Sequence, residues 1–543
     1  MRTVPRVSQT IMVDPETARS LLAPRSDIVV ERPWNDDDER VWADDHPPPP
    51  PPLEHADTAS VTVPDGGDRA TFALQRGPMV GYRRDVAARP GPDGQIEVTE
   101  TTRCRLALGV WGVVVARLMA RSLRRTGARQ TTRSPAWAPP ESLDARSGTV
   151  LGVLLTLALV AGYLGTVMTQ TITYAADEFG RGTSAQGGAL AAVRVGALGS
   201  LVLVAMADQR GRRRLLLGSL GAACLFTVVG AVAPTLEVLT VSQTLARAFT
   251  TASTLLLAVV AAEEMPAGAR AYAISVMTMT GALGAGMAVW ALTFVDRAEW
   301  GWRVLYLMAV LGLPIVLSVR RRLPESQRFV RPHRDATVVR GHAARFWAIG
   351  AALFCSSAFG APSSQLLNDF LKDERGFSSS RIALFTVLTT TPAGIALVAG
   401  GRLADTRGRR VVVAVGVAGG SLIGAWGFTA HGWPLWAANL GATMLGALAV
   451  PALGAYGPEL FPTAARGKAN GIIQIISVAG SALGLLVAGA VADRTGRLAD
   501  GMFLLLPLGL LVAVLAVTVF PETARRELED INPEDDLTVP APG

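Results

Sequence analysis

Charged residues are scarce in this sequence of 543 residues: Asp, Glu, Lys and Arg make up 17% of it, whereas 50% of the residues are hydrophobic. Cysteine and histidine are scarcer still. The three cysteines, Cys104, Cys224 and Cys355, lie far apart, and the five histidines are scattered. Such spacing indicates neither a disulfide framework nor a metal site. We therefore expect no metal and no cofactor.

The sequence also lacks the phosphate-binding pattern GxxxxGK followed by Ser or Thr. The nearest string, ARGKAN at 465–470, has the wrong residues around its lysine. ATP hydrolysis by this chain is therefore not expected, and we predict that the protein is not an enzyme. The basic pI of about 9.8 is explained by arginine-rich loops, so it does not indicate a nucleic-acid partner.

Long apolar segments dominate the chain from Val150 to Phe520, and the mean hydropathy of +0.34 is high for a soluble protein. Each segment has about 20 residues, the length that a helix needs to cross about 30 Å of hydrocarbon. The segments lack the alternation of barrel strands, and lipid admits only helices or closed barrels. We predict twelve membrane-spanning helices, spans 1 to 12, at residues 150–174, 185–206, 214–233, 238–262, 271–294, 303–319, 345–367, 381–400, 411–430, 435–456, 470–491 and 501–520.

The loops between these spans differ in arginine content. With an even number of spans, both termini and every second loop lie on one side of the membrane. That side carries most of the loop arginines, including the segment GGRLADTRGRR at 400–410 between spans 8 and 9. Because cytoplasmic loops are enriched in Lys and Arg, we predict a multi-pass protein of the cell inner (plasma) membrane with both termini in the cytoplasm.

Three motifs in the arginine-rich loops occur twice, in the same order and at an offset of 196 or 197 residues. They are ADQRGRRR at 207–214 with ADTRGRR at 404–410, EEMPAGAR at 263–270 with ELFPTAAR at 459–466, and PESQR at 324–328 with PETAR at 521–525. Chance explains such an ordered repeat poorly. We predict two halves of six helices, related by an axis along the membrane normal.

This constellation resembles the major facilitator superfamily over residues 148–531. The loop motif of that family stands complete as Gly401, Leu403, Ala404, Asp405, Gly408, Arg409 and Arg410, whereas the first-half copy has Val204 and Met206 at the glycine and leucine positions. The PESQR and PELFPTAARG segments are similar to those of its sugar-porter and metabolite-transporter branches. The resemblance implies an all-α membrane protein with two six-helix bundles, at 148–319 and 345–531, a cytoplasmic central loop at 320–344 and a tail at 532–543.

In that family such loops latch the cytoplasmic ends of the two bundles in one state of an alternating-access cycle. An aspartate at a helix end can lie beside a positive helix N-terminus, and a glycine permits a tight reversal. The alternative is a short hairpin held inside by its charge, which leaves the repeated aspartate and glycine unexplained. The resemblance implies that the latch motifs contain Asp208, Gly211, Arg212, Glu263, Arg270, Gly401, Asp405, Gly408, Arg409, Glu459 and Arg466.

A similar string, GAVADRTGR at 489–497, falls between spans 11 and 12, on the opposite side of the predicted membrane. It carries fewer arginines and has no counterpart in the first half. We interpret it as a coincidental helix-end turn. The alternative is that the last two spans are misplaced.

Two arginines lie inside predicted spans, where an ionisable residue is costly and by default functional. Arg194 is near the middle of span 2, and Arg247 lies within span 4. In several branches of the superfamily an arginine inside this fourth helix assists substrate binding or proton transfer, and the resemblance suggests that role for Arg247. Since no carboxylate is clearly mid-span, the arginines predict a positive cavity that favours an anionic substrate. The alternative is that both are structural and bond to backbone carbonyls or neighbouring helices.

Polar residues at helical spacing add candidates for substrate binding. They are Tyr163 and Gln170 in span 1, beside Thr166 and Thr173; Gln474 in span 11, beside Ser477 and Ser481; and Gln365, Asn368 and Asp369 in span 7. Bonding between helices explains such residues equally well. Asp177, Glu178 and Asp369 are the candidates for proton coupling, with a solvated helix end as the alternative. The small-residue runs 281–288 and 480–484 predict close helix packing.

Residues 1–147 have a different composition, with a six-proline run at 47–52, the acidic stretch 36–39 and many Gly, Pro, Asp and Arg residues. This predicts a disordered cytoplasmic tail without a signal peptide. The sequence does not identify a partner for the tail. Within it, the apolar run and following arginines of 106–125 predict an amphipathic helix on the inner leaflet. A thirteenth span is the alternative.

The sequence leaves three functional hypotheses. The first is a secondary transporter, such as a symporter, that moves a small polar and anionic metabolite, with or without protons. The second is multidrug efflux in the same fold, which predicts a more apolar cavity and transport of lipophilic cations. The third is a non-transporting membrane sensor or scaffold that uses the tail. We expect a monomer whose partners are its small-molecule substrate and the lipid bilayer.

Overall fold

The computed structural model describes residues 6–14, 17–18, 21–23, 29–34, 69–92, 95–126, 137–181, 183–292, 294, 300–326, 343–463 and 465–535. The acidic stretch 36–39, the six-proline run 47–52, residues 327–342 of the predicted central loop and residues 536–543 of the predicted tail lie outside the described residues. The chain divides into two compact units, Met1–Val153 and Leu154–Gly543.

The first unit contains a five-stranded antiparallel sheet with the spatial order β1-β5-β4-β3-β2. Helix α1, Gly112–Thr126, follows the sheet and buries Met119 against Met79, Tyr82 and Cys104. A second cluster of buried side chains includes Phe72, Val86 and Val98. The strands are β1 (Arg6–Val13), β2 (Val30–Pro33), β3 (Arg69–Arg76), β4 (Met79–Pro90) and β5 (Ile96–Leu106).

This sheet lies within the segment for which the composition predicts a disordered tail, and the sequence does not predict its strands. The reason is a buried charged side chain at the centre of the sheet. Arg84 lies 2.8 Å from Glu31 and 2.6 Å from Glu100, and it donates to the carbonyl of Leu21 at 2.6 Å. Because charged residues occupy inward positions, the alternation of apolar and polar residues that signals a strand is weak here.

Twelve helices of the described residues are long and apolar enough to cross a membrane, as predicted. Span 7 is irregular at its far end, where the regular helix stops at Gln365 and a π-helix, Phe370–Glu374, follows. The spans are Ala145–Glu178, Gly188–Ala207, Arg212–Ala231, Leu236–Glu264, Ala267–Trp290, Trp302–Val319, Ala343–Glu374, Leu384–Arg407, Arg409–Gly427, Trp433–Glu459, Arg466–Thr495 and Leu498–Thr518.

Close helix packing occurs at both predicted small-residue runs. A Cβ atom added to Gly284 of span 5 would lie 2.0 Å from the carbonyl oxygen of Leu159 in span 1. One added to Gly484 of span 11 would lie 1.9 Å from the carbonyl oxygen of Ala358 in span 7. Any side chain at either position would therefore force the helices apart. The prediction is confirmed, and the same contact recurs in both halves.

The two halves, spans 1–6 and spans 7–12, meet closely where span 5 crosses span 8 and where span 2 crosses span 11. A Cβ atom on Gly401 would lie 2.7 Å from the carbonyl oxygen of Ala271, and one on Gly471 would lie 2.6 Å from the side chain of Leu201. These contacts lie towards the end of the bundle that carries the repeated motifs. We call that end the arginine-rich face and define it by residues 207–214, 263–270, 404–410 and 459–466.

The string GAVADRTGR at 489–497 ends a helix without joining the halves. Span 11 runs to Thr495, and Gly496 closes it in the left-handed conformation with a φ of 72°. Asp493 is exposed, whereas Asp405 is fully buried. The string is therefore a helix-end turn, as predicted, and the last two spans stand where the sequence places them.

Candidate functional site

Glu263 joins the two halves at the arginine-rich face. It ends span 4 and lies 2.9 Å from Arg212, which begins span 3 in the same half. It also lies 2.5 Å from Arg466, which begins span 11 in the other half. A carboxylate at a helix C-terminus and an arginine at a helix N-terminus both interact unfavourably with the helix dipole. These buried charges are therefore stabilised by their ion pairs and not by the helix ends.

Glu459 makes the equivalent contacts from the second half. It ends span 10, forms an ion pair with Arg409 of its own half, and lies 3.7 Å from Arg270 of the first half. Offsets of 196 or 197 residues relate Glu263 to Glu459 and each arginine to its counterpart. Each glutamate therefore binds one arginine of its own half and one of the opposite half.

Asp405 adds a third connection between the halves. Its two carboxylate oxygens accept hydrogen bonds from the backbone N–H groups of Ala271, at 3.2 Å, and Tyr272, at 2.8 Å. These groups belong to the first turn of span 5, where the helix dipole favours a negative charge. Arg409 contacts the same carboxylate at 3.3 Å. The aspartate lies beside a helix N-terminus, as expected, but that helix belongs to the other half.

The equivalent residue of the first half, Asp208, lies in a helix, but its side chain is outside the described part of the structure.

The two glycines of the motifs have the same backbone conformation. Gly211 has a φ of 97° and Gly408 a φ of 102°, values that an L-residue adopts only with strain. Each permits the tight reversal that the sequence predicts between spans 2 and 3 or spans 8 and 9.

The C-terminal segment supplies two further acids to this face. Glu527 lies 3.3 Å from Arg270, and Asp535 lies 3.6 Å from Arg466. Both acids come from the segment that follows span 12. The group that they neutralise, here called the arginine cluster, consists of buried Arg212, Arg270, Arg409 and Arg466 with buried Glu263, Asp405 and Glu459.

The C-terminal segment binds both halves by hydrogen bonds as well. Arg270 of the first half donates to the carbonyl of Arg526 at 2.9 Å. In the second half, the Asp535 carboxylate accepts from the backbone N–H and the hydroxyl of Thr463, and Asn532 donates to the carbonyl of Glu459 at 2.7 Å. The sequence did not predict that this segment belongs to the site, although the repeated PETAR motif begins it.

The glutamates of the repeated PESQR and PETAR motifs cap helices within their own halves. Glu325 accepts from the backbone N–H of Arg213 at 3.0 Å, at the start of span 3. Glu522 accepts from that of Arg409 at 2.9 Å, at the start of span 9. Their common role explains why the motif occurs twice, and it adds two residues that the predicted site did not contain.

A second polar group lies within the spans. Arg194 of span 2 donates to the side-chain oxygen of Gln365 in span 7 at 3.1 Å, so this bond joins the halves. Arg247 of span 4 donates to the carbonyl of Gly165 in span 1 at 3.0 Å. The two guanidinium groups lie close enough to repel each other electrostatically. The structure thus brings together three of the predicted binding residues, Arg194, Arg247 and Gln365.

The other predicted binding residues are placed differently. Tyr163 is buried, and its hydroxyl donates to the carbonyl of Leu305 at 2.7 Å. This hydrogen bond joins spans 1 and 6. Gln170 and Gln474 are half-buried, and neither forms a hydrogen bond with a described residue. Asn368 and Asp369 are exposed in the irregular part of span 7.

Polar contacts at the end of the bundle opposite the arginine-rich face also occur in both halves. Glu178 accepts from the indole of Trp302 at 2.5 Å and pairs with Arg303 at 2.8 Å, which joins spans 1 and 6. Glu374 accepts from the backbone N–H of Leu498 at 2.7 Å, which joins spans 7 and 12. These repeated contacts were not predicted from the sequence. Their signal is the Asp-Glu dipeptide at 177–178 and 373–374, which has the same offset as the other motifs.

No group of three or more His, Cys, Asp or Glu side chains among the described residues could hold a metal ion. The described chemistry is therefore that of arginines, carboxylates and amides at contacts between helices.

Comparisons with known proteins agree with this architecture. A family model described as Major Facilitator Superfamily matches residues 150–368 and 348–541. A solved structure of the proton:xylose symporter XylE bound to 6-bromo-6-deoxy-D-glucose is similar with a TM-score of 0.60 and 18% identity, over 71% of this chain and 98% of that one.

Two further solved structures are similar. The human organic anion transporter MFSD10 has a TM-score of 0.54 and 18% identity, over 68% of this chain and 99% of that one. The transporter FucP in the outward conformation has a TM-score of 0.56 and 14% identity, over 68% of this chain and 99% of that one. At these identities the likeness shows the fold alone. No curated protein matches the sequence.

Proposed function

Because the chain belongs to the major facilitator superfamily, we propose that it is a secondary transporter that moves a small anionic metabolite across the membrane by alternating access. One observation carries the choice of an anion. Arg194 and Arg247 both lie within the spans, and neither has a carboxylate partner among the described residues. Two cations near each other inside a bilayer protein favour a bound negative charge.

A substrate carboxylate or phosphate would supply that charge through charge-assisted hydrogen bonds with the guanidinium groups. Arg194 already contacts Gln365 of the other half. An anion held by both arginines would therefore lie within reach of an amide from the opposite half. Binding that differs between the open and closed arrangements of the halves can shift the equilibrium between them.

The arginine cluster suits a reversible closure. Opening the arginine-rich face must separate Glu263 from Arg466, Glu459 from Arg270, and Asp405 from span 5. The pairs within each half, Glu263 with Arg212 and Glu459 with Arg409, need not separate. Each glutamate would keep one arginine in the open state, which avoids the high cost of an uncompensated buried charge.

We assign the arginine-rich face to the cytoplasm on the distribution of loop arginines. The described arrangement would then be closed towards the cytoplasm. The candidates for proton coupling remain Asp177, Glu178 and Asp369. Asp177 and Asp369 are exposed, and Glu178 is engaged with Trp302 and Arg303.

The test is thermal stabilisation of the purified protein by sugars, organic acids, phosphorylated metabolites and lipophilic drugs. A ligand at 100 times its Kd stabilises the native state by about 2.7 kcal/mol. We expect an organic or phosphorylated anion to raise the melting temperature of the wild type, and Arg194→Ala and Arg247→Ala to lose this effect. Arg181→Ala is the matched control, because Arg181 forms an exposed pair with Glu237.

Equal responses of all variants to an anion would contradict the assignment of Arg194 and Arg247 to the site. Two results would contradict the anionic substrate itself: stabilisation by neutral sugars alone and stabilisation by lipophilic cations. The last would favour multidrug efflux in the same fold.

A further inference from the structure

We propose that helix α1 lies on an anionic lipid surface through an apolar face that the rest of its unit leaves uncovered. Val110, Val113 and Val114 are 69%, 72% and 65% exposed, and Leu118 is exposed on the same side. These positions follow the spacing of one helix face. Contiguous apolar side chains of this kind mark an interaction surface.

The opposite side of α1 is already occupied. Met119 is buried in the cluster with Met79, Tyr82 and Cys104, and Trp137 packs against that cluster. The helix therefore has a fixed rotation on the sheet and cannot turn its valines inwards without exposing Met119. The uncovered face needs an occupant from outside the described part of this unit.

Close contacts place the start of α1 at the beginning of a membrane span. A Cβ atom added to Gly152 would lie 2.5 Å from the carbonyl oxygen of Leu108, and one added to Gly148 would lie 3.2 Å from Ala107. Gly148 and Gly152 belong to the first turns of span 1, whose apolar run begins at Val150. The chain that leads into α1 therefore packs against the first apolar turns of span 1.

Charge selects lipid as the occupant. Arg117 and Arg121 are exposed on the same side as the valines, one and two turns further along the helix. Long arginine side chains can reach phosphate groups while their neighbours enter the acyl region. Trp111, half-buried in the turn just before the helix, is a residue type enriched at the membrane interface.

The experiment labels Val114→Cys in the full-length protein with bimane and reconstitutes it in bilayers of brominated phosphatidylcholine, with and without phosphatidylglycerol. Labelling should be selective, because Cys104, Cys224 and Cys355 are all buried. Burial also raises the pKa of the Cys104 thiol to about 11, which keeps it protonated at neutral pH. The control is Thr10→Cys, at an exposed position of β1. Labelling of the wild type gives the background.

We expect brominated lipid to quench the label at position 114 and aqueous iodide to quench it weakly, with the reverse at position 10. Phosphatidylglycerol should strengthen the lipid quenching at position 114, and the added substitutions Arg117→Gln and Arg121→Gln should remove that increase. A label at position 114 that iodide quenches freely would overturn the proposal. So would a label shielded from both quenchers, which would indicate a protein partner or a second copy of the chain.

Discussion

The carboxylate of Glu263 and the guanidinium of Arg466 are 2.5 Å apart, although 203 residues separate them in the chain. This contact joins the end of span 4 to the start of span 11. The internal repeat supplies its counterpart, Glu459 with Arg270 at 3.7 Å. Two glutamates at equivalent helix ends thus tie the halves together at one face of the membrane bundle.

Substitution of Glu263→Gln should destabilise the described arrangement. Arg212 and Arg466 would lose a fully buried counter-charge, and breaking a buried pair costs about 3–5 kcal/mol. We expect a lower melting temperature, measured on the purified protein. In a double-mutant cycle with Arg466→Met, the two effects should be non-additive. The control is Glu237→Gln, in an exposed pair with Arg181, for which no measurable change is expected. Additive effects would contradict a direct coupling.

Substitution of Asp405→Asn should loosen the start of span 5. An amide keeps one acceptor oxygen but loses the charge that interacts with the helix N-terminus and with Arg409. Losing a helix cap typically costs about 1 kcal/mol. We expect faster hydrogen exchange at the amides of Ala271 and Tyr272, measured by mass spectrometry. Asp493→Asn, in the similar string at 489–497, should leave the hydrogen-exchange rates of these two amides unchanged. Equal effects of the two substitutions would refute the distinction between the motifs.

Gly484→Ala should be destabilising, whereas Gly489→Ala on the same helix should not. A methyl group on Gly484 would lie 1.9 Å from the carbonyl oxygen of Ala358, while no atom lies within 4 Å of one on Gly489. Overpacking of this kind costs about 1–3 kcal/mol, and Ala is a better helix former than Gly by about 1 kcal/mol. The melting temperature should therefore fall for Gly484→Ala and should not fall for Gly489→Ala. A Gly484→Ala variant as stable as Gly489→Ala would show that spans 7 and 11 are not in this close contact.

Arg84→Ala should unfold the sheet of the first unit. Glu31 and Glu100 would lose their buried counter-charge, at a cost of about 3–5 kcal/mol. Limited proteolysis should then cut within residues 69–106, which the wild type protects. Arg83→Ala is the control, because Arg83 is 25% exposed and its pair with Asp85 is accessible to solvent. Adding Glu31→Gln and Glu100→Gln to Arg84→Ala should restore part of the protection.

The predicted substrate-binding residues do not all lie together in the structure. Arg194, Arg247 and Gln365 come together, whereas Tyr163 bonds to a backbone carbonyl between spans 1 and 6. Helical spacing places residues on a common face but does not say which helix that face meets. Tyr163 and Gln170 looked equivalent in the sequence for this reason.

The sequence by itself determined the twelve spans, the division into halves and the positions of the tight reversals. These features depend on local composition, on the length that a bilayer requires and on a repeat at a constant offset. The arginines and acids of the repeated motifs could also be named from the sequence, since charge at helix ends is a local property.

Only the tertiary structure decided which charges pair. Glu263 meets Arg466, Asp405 meets span 5 of the other half, and Arg84 is neutralised by two distant acids, because these contacts join segments far apart in the chain. The β-sheet of residues 6–106 was missed for the same reason. Its buried charges look like the composition of a disordered segment until long-range pairing makes their burial favourable.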